Sequence, residues 1–227
     1  MLPIRPDKPS GEPLRILCLG AHCDDIEIGA GGTVRRLIAD REAVEVHWTV
    51  FASNPERGGE ARASANSFLA GARSAAVDVR GFRESYFPDQ WSAIKDAFED
   101  VRATFAPDLV LTHHKSDAHQ DHRVVSELTW NTFRDHLVLE YEIPKFDADL
   151  GRPNVFVPLD AETVEFKIST LTRVFATQRE KVWFDEDTFR GILRLRGVES
   201  NAPDRFAEGF HARKLPLSFE GQQKRER

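Results

Sequence analysis

The order of short apolar runs and amphipathic stretches constrains this chain more than any other feature. LRILCLG (Leu14–Gly20) is an apolar run closed by glycine, the pattern of a buried strand. IGAGGTVRRLIAD, from about Ile28, opens with glycines and then spaces Val34, Leu37 and Ile38 as a helix does, and AVEVHWTVF is again β-rich. Strand, helix, strand in close succession is a βαβ unit, so a parallel sheet begins here. The alternation continues. PERGGEARASANSFLAG reads as a helix, AAVDVRGF as a weaker strand, and WSAIKDAFEDVRATFAPD as a helix with Ile94, Ala97, Phe98, Val101 and Phe105 inward. LVLTHH is a strand and DHRVVSELTWNTFRDH a helix, followed by strands LVLEYEI and NVFVPL and helices AETVEFKISTLTRVFATQ and EDTFRGILRLRGV. The expected fold is a single-domain, Rossmann-like α/β three-layer sandwich with a mostly parallel sheet.

Composition sets the outer bounds. An apolar content of 41% beside 30% charged residues is ordinary for a globular chain, and no run approaches the length of a membrane span. The net charge of −6 offers no general attraction for nucleic acid, so a small molecule is the expected partner. Cys18 and Cys23 are too close together for a disulfide framework, which suits a reducing, cytoplasmic setting. Residues 1–13, rich in proline and charge, read as a flexible arm, residues 14–219 as the domain, and 220–227 as a polar tail.

Two loops concentrate the chemistry. In open α/β sheets ligands sit beyond the carboxyl ends of the strands. After the first strand comes AHCDDIEIGAGGT, with His22, Asp24 and Asp25; after LVLT comes HHKSDAHQDHR, with His113, His114, Asp117, His119, Asp121 and His122. Half of the eight histidines fall in that second loop. The first loop is not a dinucleotide fingerprint, because Val34 stands where the last glycine of G-x-G-x-x-G belongs. Two aspartates at a helix N-terminus repel a pyrophosphate and attract a divalent cation instead. Two imidazoles and one carboxylate make a common catalytic zinc site with a fourth position open to water. Of the adjacent pair Asp24 and Asp25, one can ligate while the other faces the water; the spacing does not say which. His119 and His122 lie three apart at a helix start and point roughly the same way, so one can bind metal while the other meets a reacting carbonyl.

With these motifs in hand, the sequence resembles the PIG-L/LmbE-like zinc de-N-acetylases. The family's A-H-P-D-D followed by G-x-G-G is similar to AHCDDIEIGAGGT, its H-x-D-H to HQDH, and weaker similarity runs through ERGGEARASA to RGVESNAPDRFAEGF. The resemblance implies one zinc ion on His22, Asp25 and His122. It implies Asp24 as general base and then acid, His119 as the group that polarises the acetyl carbonyl, and Asp121 as the residue that orients and charge-tunes His119. The implied substrate is an N-acetylated amino sugar or conjugate, and the implied assembly a symmetric homo-oligomer. Cys23 replaces the family's usual proline, and Phe175 in FATQ stands where many members have the histidine of H-x-S-Q. Arg57, Glu60 and Arg62 read first as a surface ion-pair pattern on their helix, with a part in shaping the substrate pocket as the alternative. The competing readings are a metallo-β-lactamase-like hydrolase, which commonly binds two metals, and a non-catalytic sugar- or nucleotide-binding protein.

Overall fold

A computed structural model describes residues 8, 9 and 11–216; the remainder of the expected arm and the whole expected tail 220–227 lie outside the described residues. Within the arm, Lys8 Nζ sits 2.8 Å from Asp108 Oδ1.

Strands β1 (Leu14–Gly20), β2 (Val44–Ala52), β3 (Ser74–Phe82), β4 (Leu109–His113) and β5 (Leu137–Tyr141) are mutually parallel. Helices α1 (Asp25–Ala39), α2 (Pro55–Phe68), α3 (Trp91–Thr104) and α4 (Gln120–Thr132) connect them in turn. After β5 come β6 (Val155–Leu159), α5 (Ala161–Val174), α6 (Glu186–Ser200) and β7 (Phe206–His211). The seven-stranded sheet has the order β3-β2-β1-β4-β5-β7-β6, with β7 antiparallel to both of its neighbours. The expected mostly parallel α/β architecture is therefore the observed one. FAEGFH is not among the strands expected from the sequence, yet it forms β7.

The β1 side chains show how the sheet is buried. Ile16 and Cys18 enter one core with α1, α2, α5 and α6, while Leu17 and Leu19 enter the other with α3 and α4. A strand covered on both faces needs a continuous apolar run, which is what LRILCLG supplies. Helix α1 begins at Asp25, three residues before the expected start, and holds three glycines at a helix-propensity cost of about 1 kcal/mol each. Packing explains them. A Cβ on Gly29 would lie 2.2 Å from the Tyr141 ring, one on Gly31 2.7 Å from Phe68, and one on Gly32 2.6 Å from Leu159. The glycines let α1 seat closely on the sheet; they do not cradle a phosphate.

Further along α1, the Gly32 and Thr33 amides donate to the two carboxylate oxygens of Glu208 at 2.8 and 2.7 Å. Lys167 Nζ donates to the Ile28 carbonyl at 2.6 Å and meets Glu208 Oε1 at 2.5 Å. Gly32 N–H and Ile28 C=O are the groups an α-helix joins to each other. A buried ion pair thus engages the helix one turn beyond its acidic start.

Strand order reverses between β1 and β4. Their following loops diverge there and leave a crevice, the usual ligand position of this architecture.

Candidate metal centre and active site

The β1–α1 loop brings three groups to that crevice. Asp25 Oδ2 accepts the backbone N–H of His22 at 2.6 Å, a short turn that folds the carboxylate back beside the imidazole. Asp24 is the N-cap of α1 but makes no side-chain cap bond, so its carboxylate is not spent on the helix. Cys23 points away: its Sγ lies in the core, 3.4 Å from the Ala52 carbonyl, and burial pushes its thiol up to about 12. This places Cys23 as a filler of apolar space. Glu27 is buried with no partner for either carboxylate oxygen, and burial holds its carboxyl well above the usual range.

From across the crevice, the start of α4 contributes His122. His22 Nδ1 and His122 Nε2 are 3.1 Å apart, His22 Nδ1 and Asp25 Oδ2 3.4 Å, and His122 Nε2 and Asp25 Oδ1 3.5 Å. The two Asp25 contacts use different oxygens; a tetrahedral ion with bonds of about 2.0–2.2 Å requires donors about 3.3–3.6 Å apart, near these separations, so the set is of a size to hold one divalent cation. Two overlapping donor groups are present among the described residues: His22, His119 and His122, and Asp25, His113 and His122. Both include His122, and between them they contain His22, Asp25 and His122.

The outer hydrogen bonds direct the correct lone pairs inward. Asp121 Oδ2 is 3.1 Å from His22 Nε2, and the Ser85 and Phe87 amides donate to Asp121 at 2.6 and 3.1 Å. Asp117 Oδ2 is 2.9 Å from His122 Nδ1. Each imidazole gives its outer N–H to a carboxylate and turns its other nitrogen toward the centre, an arrangement typical of metal-ligating histidines. Burial opposes charge on His22, but Asp25 and Asp121 outweigh it and raise that imidazole to about 10. Burial, reinforced by His113, lowers His122 to about 3.

The Asp121 carboxylate lies 3.1 Å from His22 Nε2, while Asp121 meets His119 through its backbone amide, donating to Nδ1 at 3.2 Å, and through its charge. The H-x-D-H spacing places Asp121 in the first turn of α4, where its carboxylate meets His22. With Nδ1 accepting, neutral His119 carries its proton on Nε2. Burial, and then the nearby charge on His22, lower its pKa and keep it neutral.

Asp24 lies outside the donor triangle. It is 3% exposed, and burial followed by the adjacent Asp25 raises its pKa. Arg57 Nη2 approaches Asp24 Oδ1 to 3.6 Å while Nη1 bonds Glu84. Arg57 is thus part of the site wall rather than a surface residue, its side chain only 11% exposed. Glu60 accepts from Thr177 N and Oγ1 at 3.0 and 2.6 Å, and Arg62 reaches the Val77 carbonyl at 3.2 Å. Phe175 is fully buried against Phe184. His113, at the end of β4, takes the Ala21 amide at 2.9 Å, lies 3.2 Å from Asp25 Oδ2 and stacks on His122 at 3.9 Å. Its place in the HHKSD run was legible, its contact with Asp25 was not.

The family model for GlcNAc-PI de-N-acetylases (PIG-L) matches residues 17–133, more than half of the chain, and both donor loops fall within that span. The chain belongs to the PIG-L family. No curated protein sequence matches it. Among solved structures, its fold is similar to that of GalB, the 4-carboxy-2-hydroxymuconate hydratase from Pseudomonas putida KT2440, at 18% identity over 91% of this chain and 99% of that one, with a TM-score of 0.69. It is also similar to N,N'-diacetylchitobiose deacetylase from Pyrococcus horikoshii, at 19% identity over 90% and 85% of the two chains, with a TM-score of 0.64. The A40926 pseudoaglycone deacetylase Dbv21 is comparable, at 18% identity over 91% and 100%, with a TM-score of 0.65. At these identities the likeness is one of fold.

Proposed function

We propose that this chain is a zinc-dependent N-deacetylase that removes acetyl from an N-acetylated amino sugar or sugar conjugate. The observation that carries the reading is the division of the adjacent aspartates: Asp25 belongs to the donor triangle, while Asp24 is buried beside it and outside it. Family membership and the deacetylases that share the fold support the same chemistry.

His22 Nδ1, Asp25 and His122 Nε2 are the groups that would hold the ion. A divalent ion held by such a set lowers the pKa of a bound water to about 7 and polarises a carbonyl. Asp24 takes the proton from water as the water oxygen bonds to the acetyl carbon. His119, neutral and protonated on Nε2, donates a hydrogen bond to the carbonyl oxygen as negative charge grows there. Asp24 then returns the proton to the amide nitrogen as the C–N bond breaks, leaving acetate and a free amine. Burial and the neighbouring Asp25 raise the proton affinity of Asp24, which suits a group that must accept a proton and then give it up.

The test is acetate release from a panel of N-acetylated sugars and sugar nucleotides. Asp24→Asn is expected to keep its metal and lose about 10²–10⁴ in kcat, the usual worth of a general acid–base group. An unchanged kcat would remove Asp24 from the mechanism. Because a hydratase shares this fold, release of no acetate across the panel, with water added to an unsaturated acid instead, overturns the deacetylase reading.

A further inference from the structure

Lys145 lies on the β5–β6 loop, outside both donor loops. Lysine is almost never buried unless paired, yet this side chain is 9% exposed. Its Nζ is 3.0 Å from Asp117 Oδ2, 2.6 Å from Asp149 Oδ2 and 3.8 Å from Asp147. Each of the two nearer carboxylates grips the turn that leads into α4. Asp117 accepts from His122 Nδ1 at 2.9 Å and from the His119 amide at 2.8 Å, and Asp149 accepts the Ala118 amide at 2.7 Å. The loop that carries Lys145 is itself fastened to α6. Arg196 donates to Glu142 through Nε and Nη2 at 2.9 and 2.8 Å and to the Gly151 carbonyl at 3.2 Å, and Gly151 N–H donates back to Glu142 at 3.1 Å.

We propose that Lys145 is a positioning residue for the metal centre: by bridging Asp117 and Asp149 it locks the 117–119 turn and fixes the direction in which His122 Nε2 points. The inference rests on the metal reading above. Lys145 touches no member of the donor triangle, so it acts through Asp117. Without its ammonium, Asp117 keeps its bond to His122 but loses the cation that shares the same Oδ2, and Asp117 and Asp149 face each other with no charge between them. Loss of such an outer partner typically weakens metal binding about 10–100-fold.

The experiment is zinc affinity measured by competition with a chromogenic chelator, on the wild-type chain, Lys145→Met and Lys145→Arg. Methionine preserves the buried stem and removes the charge; the expected result is a zinc Kd about 10–100-fold higher. Arginine, which restores a cation able to reach two carboxylates, is expected to recover most of that loss. A zinc affinity in Lys145→Met indistinguishable from wild type overturns the proposal, as does a loss that Lys145→Arg does not recover. Should Lys145→Met not fold, Asp149→Asn cuts one arm of the bridge and is expected to weaken zinc by a smaller factor; wild-type affinity there refutes the bridge. A wild-type chain that takes up no zinc overturns the metal reading itself, a result distinct from any difference between variants.

Discussion

Lys167→Met tests whether the ion pair under α1 holds the helix that begins at Asp25. Lys167 and Glu208 are each 2% exposed, and their charged atoms are 2.5 Å apart. Methionine leaves the Glu208 carboxylate buried against the Gly32 and Thr33 amides with no cation, and removes the donor to the Ile28 carbonyl. Breaking a buried pair from one side costs about 3–5 kcal/mol, because the surviving charge stays desolvated. A domain of this kind is stable by about 5–15 kcal/mol, so the change is a large fraction of the whole. At about 2–4 °C per kcal/mol for a chain of this size, Tm should fall by about 6–20 °C. Urea unfolding followed by far-UV circular dichroism and tryptophan fluorescence measures the free energy directly, with an unchanged m-value confirming that compactness is unaltered. Removing both charges, in Lys167→Met/Glu208→Gln, should cost less than the sum of the single changes by more than about 1 kcal/mol. A single-variant loss below about 1 kcal/mol, or strict additivity in the double variant, refutes the reasoning.

Two further outcomes follow from other contacts. Asp121→Asn gives one carboxamide oxygen where the Ser85 and Phe87 amides and His22 Nε2 all need an acceptor, so its NH2 group must face a donor. Zinc binding should weaken about 10–100-fold by calorimetric titration, and wild-type affinity would show that His22 needs no outer carboxylate. Arg196→Met leaves Glu142 without its bidentate partner. Although burial works against its charge, His211 and Arg196 hold the folded Glu142 carboxyl below its usual 4.5. A depressed carboxyl contributes stability above the unfolded pKa and loses it as pH falls through the folded value. The deficit of Arg196→Met in urea unfolding should therefore be greatest near neutral pH and shrink below pH 4.5; a deficit that grows with acid contradicts the assignment.

What the sequence disclosed depended on how locally each cause is written. Strands β1 and β4 are legible because burial on both faces demands apolar runs, and β2 because its residues are β-rich. Strand β7 is not, because FAEGFH carries Glu208 and Gly209 inside it, and that glutamate is tolerated through Lys167 and the Gly32 and Thr33 amides, all on helices. The same holds for the site. His22, Asp24, Asp25, His119 and His122 stand out because two short loops contain them. The partner of the Asp121 carboxylate is His22, 99 residues away, and no local pattern encodes it. Arg57 has the spacing of a solvated helix residue, but the loop bearing Glu84 closes over it and turns it toward Asp24. Lys145 carries no local signal, since its worth lies in two carboxylates brought to it by folding.

The most direct test of the central claim is to locate the metal itself. Crystals of the zinc-loaded chain, measured for anomalous scattering across the zinc edge, should show one ion per chain bound by His22 Nδ1, Asp25 and His122 Nε2 at about 2.0–2.2 Å, with Asp24 beside it but not bonded. An ion held without these three groups, bonded to Asp24 in place of Asp25, or missing under saturating zinc would contradict the account.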